Sequence, residues 1–93
     1  MISKPSNFVV LVTPGICLAA NPARIKVIFS NITAVNIYLS MGAPELSATK
    51  AIVLPGGAVL VDEPDRNGRF FRGDWYCISA AGGETLLIDE VVE

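Results

Sequence analysis

Val35-Asn36-Ile37-Tyr38-Leu39-Ser40-Met41 alternates without a break: its odd positions are aliphatic or thioether and its even positions carry polar groups. Successive side chains of an extended chain point to opposite faces, so this period of two predicts a strand with one face buried. The same alternation runs upstream through Arg24-Ile25-Lys26-Val27-Ile28-Phe29-Ser30, with Ile28 as the exception. Asn31-Ile32-Thr33-Ala34 lies between them, and its length predicts a hairpin joining the two strands.

Working outward, further runs of β-branched and aromatic residues predict strands at Asn7–Val12, Gly15–Ala19, Ala51–Leu54, Ala58–Asp62, Trp75–Ala80 and Thr85–Val92. Thr13-Pro14-Gly15, Asn21-Pro22, Pro55-Gly56-Gly57 and Ala81-Gly82-Gly83 sit where turns are needed. Helical spacing is almost absent; Gly42–Lys50 reads as a loop with one helical turn around Glu45. The expectation is an all-β fold of about eight short antiparallel strands, in a jelly-roll-like β-sandwich or a closed barrel. Residues 1–93 form one domain, with residues 1–6 a flexible N-terminal arm.

The chain is 52% hydrophobic and only 17% charged, the latter below the usual ~25%. A domain of 93 residues has too much surface for its volume to hide that much apolar area, so a partner is expected to cover part of it. Net charge is −2 with no basic block, which argues against nucleic-acid binding. The apolar stretch Ala51 to Val61 is broken by Pro55-Gly56-Gly57, so no ~20-residue membrane helix is expected. The first residues, Met1-Ile2-Ser3-Lys4-Pro5-Ser6-Asn7, lack the pattern of a secretory signal, and folding in a cytosol is expected.

Histidine is absent, which removes the commonest general base, metal ligand and triad member together. Asp62-Glu63 and Asp89-Glu90 are adjacent pairs whose side chains would leave a strand on opposite faces, an arrangement ill-suited to paired-carboxylate chemistry. No enzyme activity, cofactor or metal is expected. Cys17 and Cys77 read as buried small hydrophobes rather than as a bridge. Arg72-Gly73-Asp74 matches an adhesion tripeptide and Asn31-Ile32-Thr33 a glycosylation acceptor; both read better as turn chemistry.

One segment stands apart. Asp62–Asp74 holds three of the seven basic and four of the nine acidic residues, with Phe70-Phe71 among them and Asn67-Gly68 as a tight-turn signal. Two readings remain open: an exposed loop whose arginines pair with Asp65 and Asp74, or a docking loop. In the second, Arg66, Arg69, Phe70, Phe71 and Arg72 bind a partner, since arginine and aromatics are enriched at interface cores.

Four phrases occur in order along the chain. Leu18-Ala19-Ala20-Asn21-Pro22-Ala23-Arg24 leads into a strand ending on Ser30-Asn31. Val35-Asn36-Ile37-Tyr38-Leu39 and Ile52-Val53-Leu54-Pro55-Gly56-Gly57 follow. Trp75-Tyr76-Cys77-Ile78-Ser79-Ala80-Ala81-Gly82-Gly83 then passes through Thr85-Leu86-Leu87 to a terminal acidic residue. This order, over about residues 16–93, resembles a family of small tailed-bacteriophage virion structural proteins. The resemblance implies a β-sandwich or barrel module located in the virion, assembled in the host cytoplasm, with no catalytic residues to carry over. It implies capsid decoration or cementing, with the major capsid protein or another virion protein as partner and a homo-oligomer as the working form. A tail, neck or fibre component that binds host glycan is the alternative, with Tyr38, Trp75 and Tyr76 as stacking candidates.

Overall fold

The computed structural model describes residues 1–42 and 51–93. The helical turn expected around Glu45 lies outside the described residues. Eight strands follow in chain order: β1 (Ile2–Val9), β2 (Gly15–Leu18), β3 (Arg24–Asn31), β4 (Ile37–Met41), β5 (Ile52–Leu54), β6 (Val59–Asp62), β7 (Trp75–Ile78) and β8 (Thr85–Val92). No helix occurs among the described residues. The strands form two separate four-stranded antiparallel sheets, ordered β1-β8-β3-β6 and β2-β7-β4-β5. Of the two architectures expected, a sandwich or a closed barrel, the barrel is not found: among the described residues each sheet ends on edge strands.

The period of two decides what is buried. On β8 every second residue (Leu86, Ile88, Glu90, Val92) is buried, while Thr85, Leu87, Asp89 and Val91 lie on the half-exposed face. On β3, Val27, Phe29 and Asn31 are buried; a bulge between Arg24 and Lys26 resets the phase, so Arg24 also points inward. Val27, Phe29, Leu86 and Ile88 of one sheet share a core with Cys17, Ile37, Leu39, Leu54, Trp75 and Cys77 of the other. Phe29 meets Trp75 between the sheets, with ring centroids 4.8 Å apart.

Two expectations about local structure change. The Arg24–Ser30 and Val35–Met41 strands are not a hairpin, because β3 and β4 belong to different sheets. Both strands need a buried face, and a connection of a few residues can bridge sheets ~10 Å apart as easily as it can turn back on itself. Asn31 holds the crossing in place. Its Nδ2 donates to the carbonyls of Val35 (2.7 Å) and Leu54 (2.9 Å), and its Oδ1 accepts from the backbone N–H (3.0 Å) and hydroxyl (2.7 Å) of Thr33. The Pro55-Gly56-Gly57 turn packs directly on this crossing, where a Cβ on Gly56 would stand 2.7 Å from the Thr33 carbonyl oxygen.

The first strand also moves. Asn7–Val12 was expected, but the ladder covers Ile2–Val9, and Ile2 to Ser6 of the expected arm pair with Val92 to Ile88. Val10 leaves the ladder and is fully buried, exchanging backbone hydrogen bonds with Glu84 (2.8 Å) and Gly83 (2.7 Å). Ile2-Ser3-Lys4-Pro5-Ser6-Asn7 has no apolar period, so backbone pairing alone, invisible to hydropathy, makes this strand.

Candidate interaction surface

The charge-dense loop is anchored from beneath by a residue that the sequence placed only at the start of a strand and in a phrase. Asn21-Pro22 forms a turn in which the Asn21 Oδ1 accepts from the Ala23 N–H (3.0 Å) and its carbonyl accepts from the Arg24 N–H (3.1 Å). Arg24 then enters the interior, fully buried. Its Nε donates to Glu90 Oε2 at 2.7 Å, its Nη1 to the Gly73 (3.0 Å) and Phe71 (3.4 Å) carbonyls, and its Nη2 to the Ala19 carbonyl at 2.6 Å. A rigid fork of donors is the group that can satisfy a carboxylate and several carbonyls at once, which a lysine could not match.

This knot divides the five residues singled out in the loop. Phe71 is half-buried against the core and meets Trp75 edge-on, with centroids 5.9 Å apart. Arg72 donates from Nε to the Arg24 carbonyl at 2.9 Å and lies over the Phe70 ring at 5.1 Å. Both residues are committed to holding the loop down. Arg66 and Arg69 remain exposed; Arg69 pairs loosely with Asp65 at 4.0 Å. Asp65 caps the Asn67-Gly68 turn, accepting at Oδ1 from the N–H groups of Asn67 (2.8 Å) and Arg69 (2.9 Å). Asp74 pairs with no arginine among the described residues and accepts instead from the Ala20 N–H at 2.7 Å, so Arg72-Gly73-Asp74 serves as turn structure.

The apolar excess lies elsewhere. On the outer face of the first sheet, Val59 and Val61 of β6 are 58% and 46% exposed, beside half-buried Ile28, Leu87 and Val91. The register places Val61 next to Ile28 and Val59 next to Ser30. A shallow groove of about 400 Å³ runs across this face between Pro5, Asn7, Ile28, Leu87 and Asp89. The outer face of the second sheet carries exposed Ile16 and Val53 with half-buried Tyr38, Tyr76 and Ile78. Tyr38 and Tyr76 thus share a face, whereas Trp75 is buried and offers no stacking surface. The signal that could have found these surfaces was present in the alternation of Val59-Leu60-Val61, which has apolar residues on both phases.

Two titratable groups, the buried Cys17 and the half-buried Asp62, belong to the scaffold. A side-chain hydrogen bond with Cys77, together with burial, pushes the Cys17 thiol far above its ordinary value, so it stays protonated. Both cysteines are free. Burial raises the Asp62 carboxyl above its usual range, against the opposing field of Arg24. No group of three or more potential metal ligands occurs among the described residues.

No family model matches the chain, and no curated protein matches it. Among solved structures, the chain is similar to one from work described as "Bacillus endospore appendages form a novel family of disulfide-linked pili". The two share 15% sequence identity with a TM-score of 0.56, over 99% of this chain and 87% of that one. At that identity the likeness speaks for the fold alone.

Proposed function

We propose that the chain is a non-enzymatic structural subunit of a bacteriophage virion, an auxiliary capsid protein that decorates or cements the major capsid shell. The strand order β1-β8-β3-β6 and β2-β7-β4-β5 supports reading the fold as a jelly-roll-like sandwich, a module suited to presenting two broad faces to neighbours. The observation that carries the reading is the exposed apolar set on both outer faces, Val59, Val61, Ile16 and Val53, on a domain with few charges. Such surfaces are stable in water only at a cost that a neighbouring subunit removes. The particle assignment itself rests on the ordered sequence phrases. Arg66 and Arg69, free to reach outward, would set register at the rim while the valines supply buried area.

The test is to purify particles and count the protein. A count in the hundreds per particle supports shell decoration, and particles lacking it should lose resistance to heat and low salt. Absence from particles, or unaltered shells without it, overturns the cementing role. A second reading is favoured by one arrangement, the shared outer face of Tyr38 and Tyr76: a tail, neck or fibre part that stacks host glycan. A ring-sized copy number together with saturable glycan binding, lost in Tyr38→Ala and Tyr76→Ala, would select it.

A further inference from the structure

Four edge strands flank the two sheets, and they are not equally protected. Native edges are blunted by charge, proline, bulges or brevity. β1 carries Lys4 and Pro5. β2 is four residues long and bulged between Ile16 and Leu18. β5 has three residues and stops at Pro55. β6 is as short as β2 and ends on the inward-facing Asp62, but Val59-Leu60-Val61 carries no charge, proline or bulge, and among the described residues no strand pairs with its far side.

We propose that β6 is the contact between two copies of this chain, pairing antiparallel with itself about a two-fold axis through Leu60. The occupant is a second copy because the strand is its own complement. Val59-Leu60-Val61 reads identically in both directions, so an antiparallel copy presents the same side chains at the same places. Continuity of the sheet faces requires outward residues to oppose outward residues. With Leu60 opposite Leu60, each exposed Val59 faces the exposed Val61 of the other copy, and Asp62 faces Ala58. Shifting by two residues sets Asp62 opposite Leu60 in one direction and Gly57 opposite Val61 in the other, so the central register alone pairs all four valines and opposes no like charges. The product is one continuous sheet, β1-β8-β3-β6 joined to β6-β3-β8-β1 of the partner.

A contact this short buries less than the ~1,200 Å² of a stable interface, so association in dilute solution is weak and depends on concentration. The inference rests on reading the chain as an assembly subunit, but its test needs no particle. Sedimentation of the full chain at rising concentration should show the mass climbing from 9.9 kDa towards twice that value. Val59→Lys and Val61→Lys, at exposed positions that leave the fold intact by circular dichroism, should weaken association at least ten-fold. Val53→Lys, on β5, should not. An equimolar mixture of Val59→Cys and Val61→Cys should crosslink under mild oxidation far faster than either variant alone. A wild-type chain that stays monomeric at millimolar concentration, or equal crosslinking by Val59→Cys alone, overturns the contact. A monomer still found in particles would sink this contact and leave the virion reading standing; a dimer absent from particles would do the reverse.

Discussion

β1 and β3 are both eight residues long, and both pair with β8, yet they are held by different forces. β3 buries Val27 and Phe29 and is pinned at each end by a buried polar residue, Arg24 at its start and Asn31 at its close. In β1 no residue is fully buried, and only Phe8 packs partly against the core. The opposing strand, β2, spans just four residues and leaves Ile2, Lys4 and Ser6 uncovered on the inner face. β3 is a strand because its side chains leave water, whereas β1 is a strand because β8 offers it hydrogen bonds. Burial stabilises by ~25 cal/mol per Å², while a net backbone bond contributes roughly 0.5–1.5 kcal/mol. Two neighbours of one strand can therefore differ greatly in how firmly they are held.

The largest break in this contrast comes at Arg24. Arg24→Ala leaves the Glu90 carboxylate and the Ala19 and Gly73 carbonyls without their donor, and should cost about 3–5 kcal/mol in denaturant unfolding. Replacing both partners together, as Arg24→Met with Glu90→Leu, should recover much of that loss. At the other end of β3, Asn31→Ala strands the Val35 and Leu54 carbonyls at about 1–3 kcal/mol for an orphaned buried group, read as a lower thermal midpoint. β1 should respond far less: Ile2→Ala is expected within about 0.5 kcal/mol of the parent. Amides of Ile2, Ser3, Lys4, Ser6 and Asn7 should exchange with solvent orders of magnitude faster than those of Val27 to Ser30. Comparable protection in the two strands would mean that pairing alone matches burial here.

The smallest effect concerns Asp62, on the strand flanking β3. Its folded carboxyl titrates above the ordinary 3.8, so the folded state holds this proton more tightly than the unfolded chain. Stability from this group therefore rises as pH falls through the raised value and levels off below 3.8; at neutral pH the ionised form is a liability. Asp62→Asn should give a slight gain in neutral buffer that vanishes in acid, measured by urea midpoints across that range.

What the sequence disclosed follows the same division. β3 and β4 were legible because each has one buried face and so writes a period of two, while β8 was legible as a bounded apolar run. β1 was misplaced because its residues bury nothing and carry no pattern. The β3–β4 hairpin failed for a different reason: alternation reports that a strand has a buried face, but not which of two sheets owns it. The loop at Arg66–Arg72 looked like a docking site from composition, and its position above the buried Arg24 could not be read, since a buried and an exposed arginine are spelled alike. The patch valines on β6 were visible as a strand, while their exposure depended on which strand became an edge.

The Arg24 knot joins residues 19, 24, 71, 73 and 90, and β1 waits on β8 for the one ladder it has among the described residues. The Arg24–Glu90 bond and the β1 ladder cannot close until the segment carrying Glu90 has been synthesised. The fold thus stays unfinished until β8 emerges, with β6 lacking until then the completed sheet that would hold it flat.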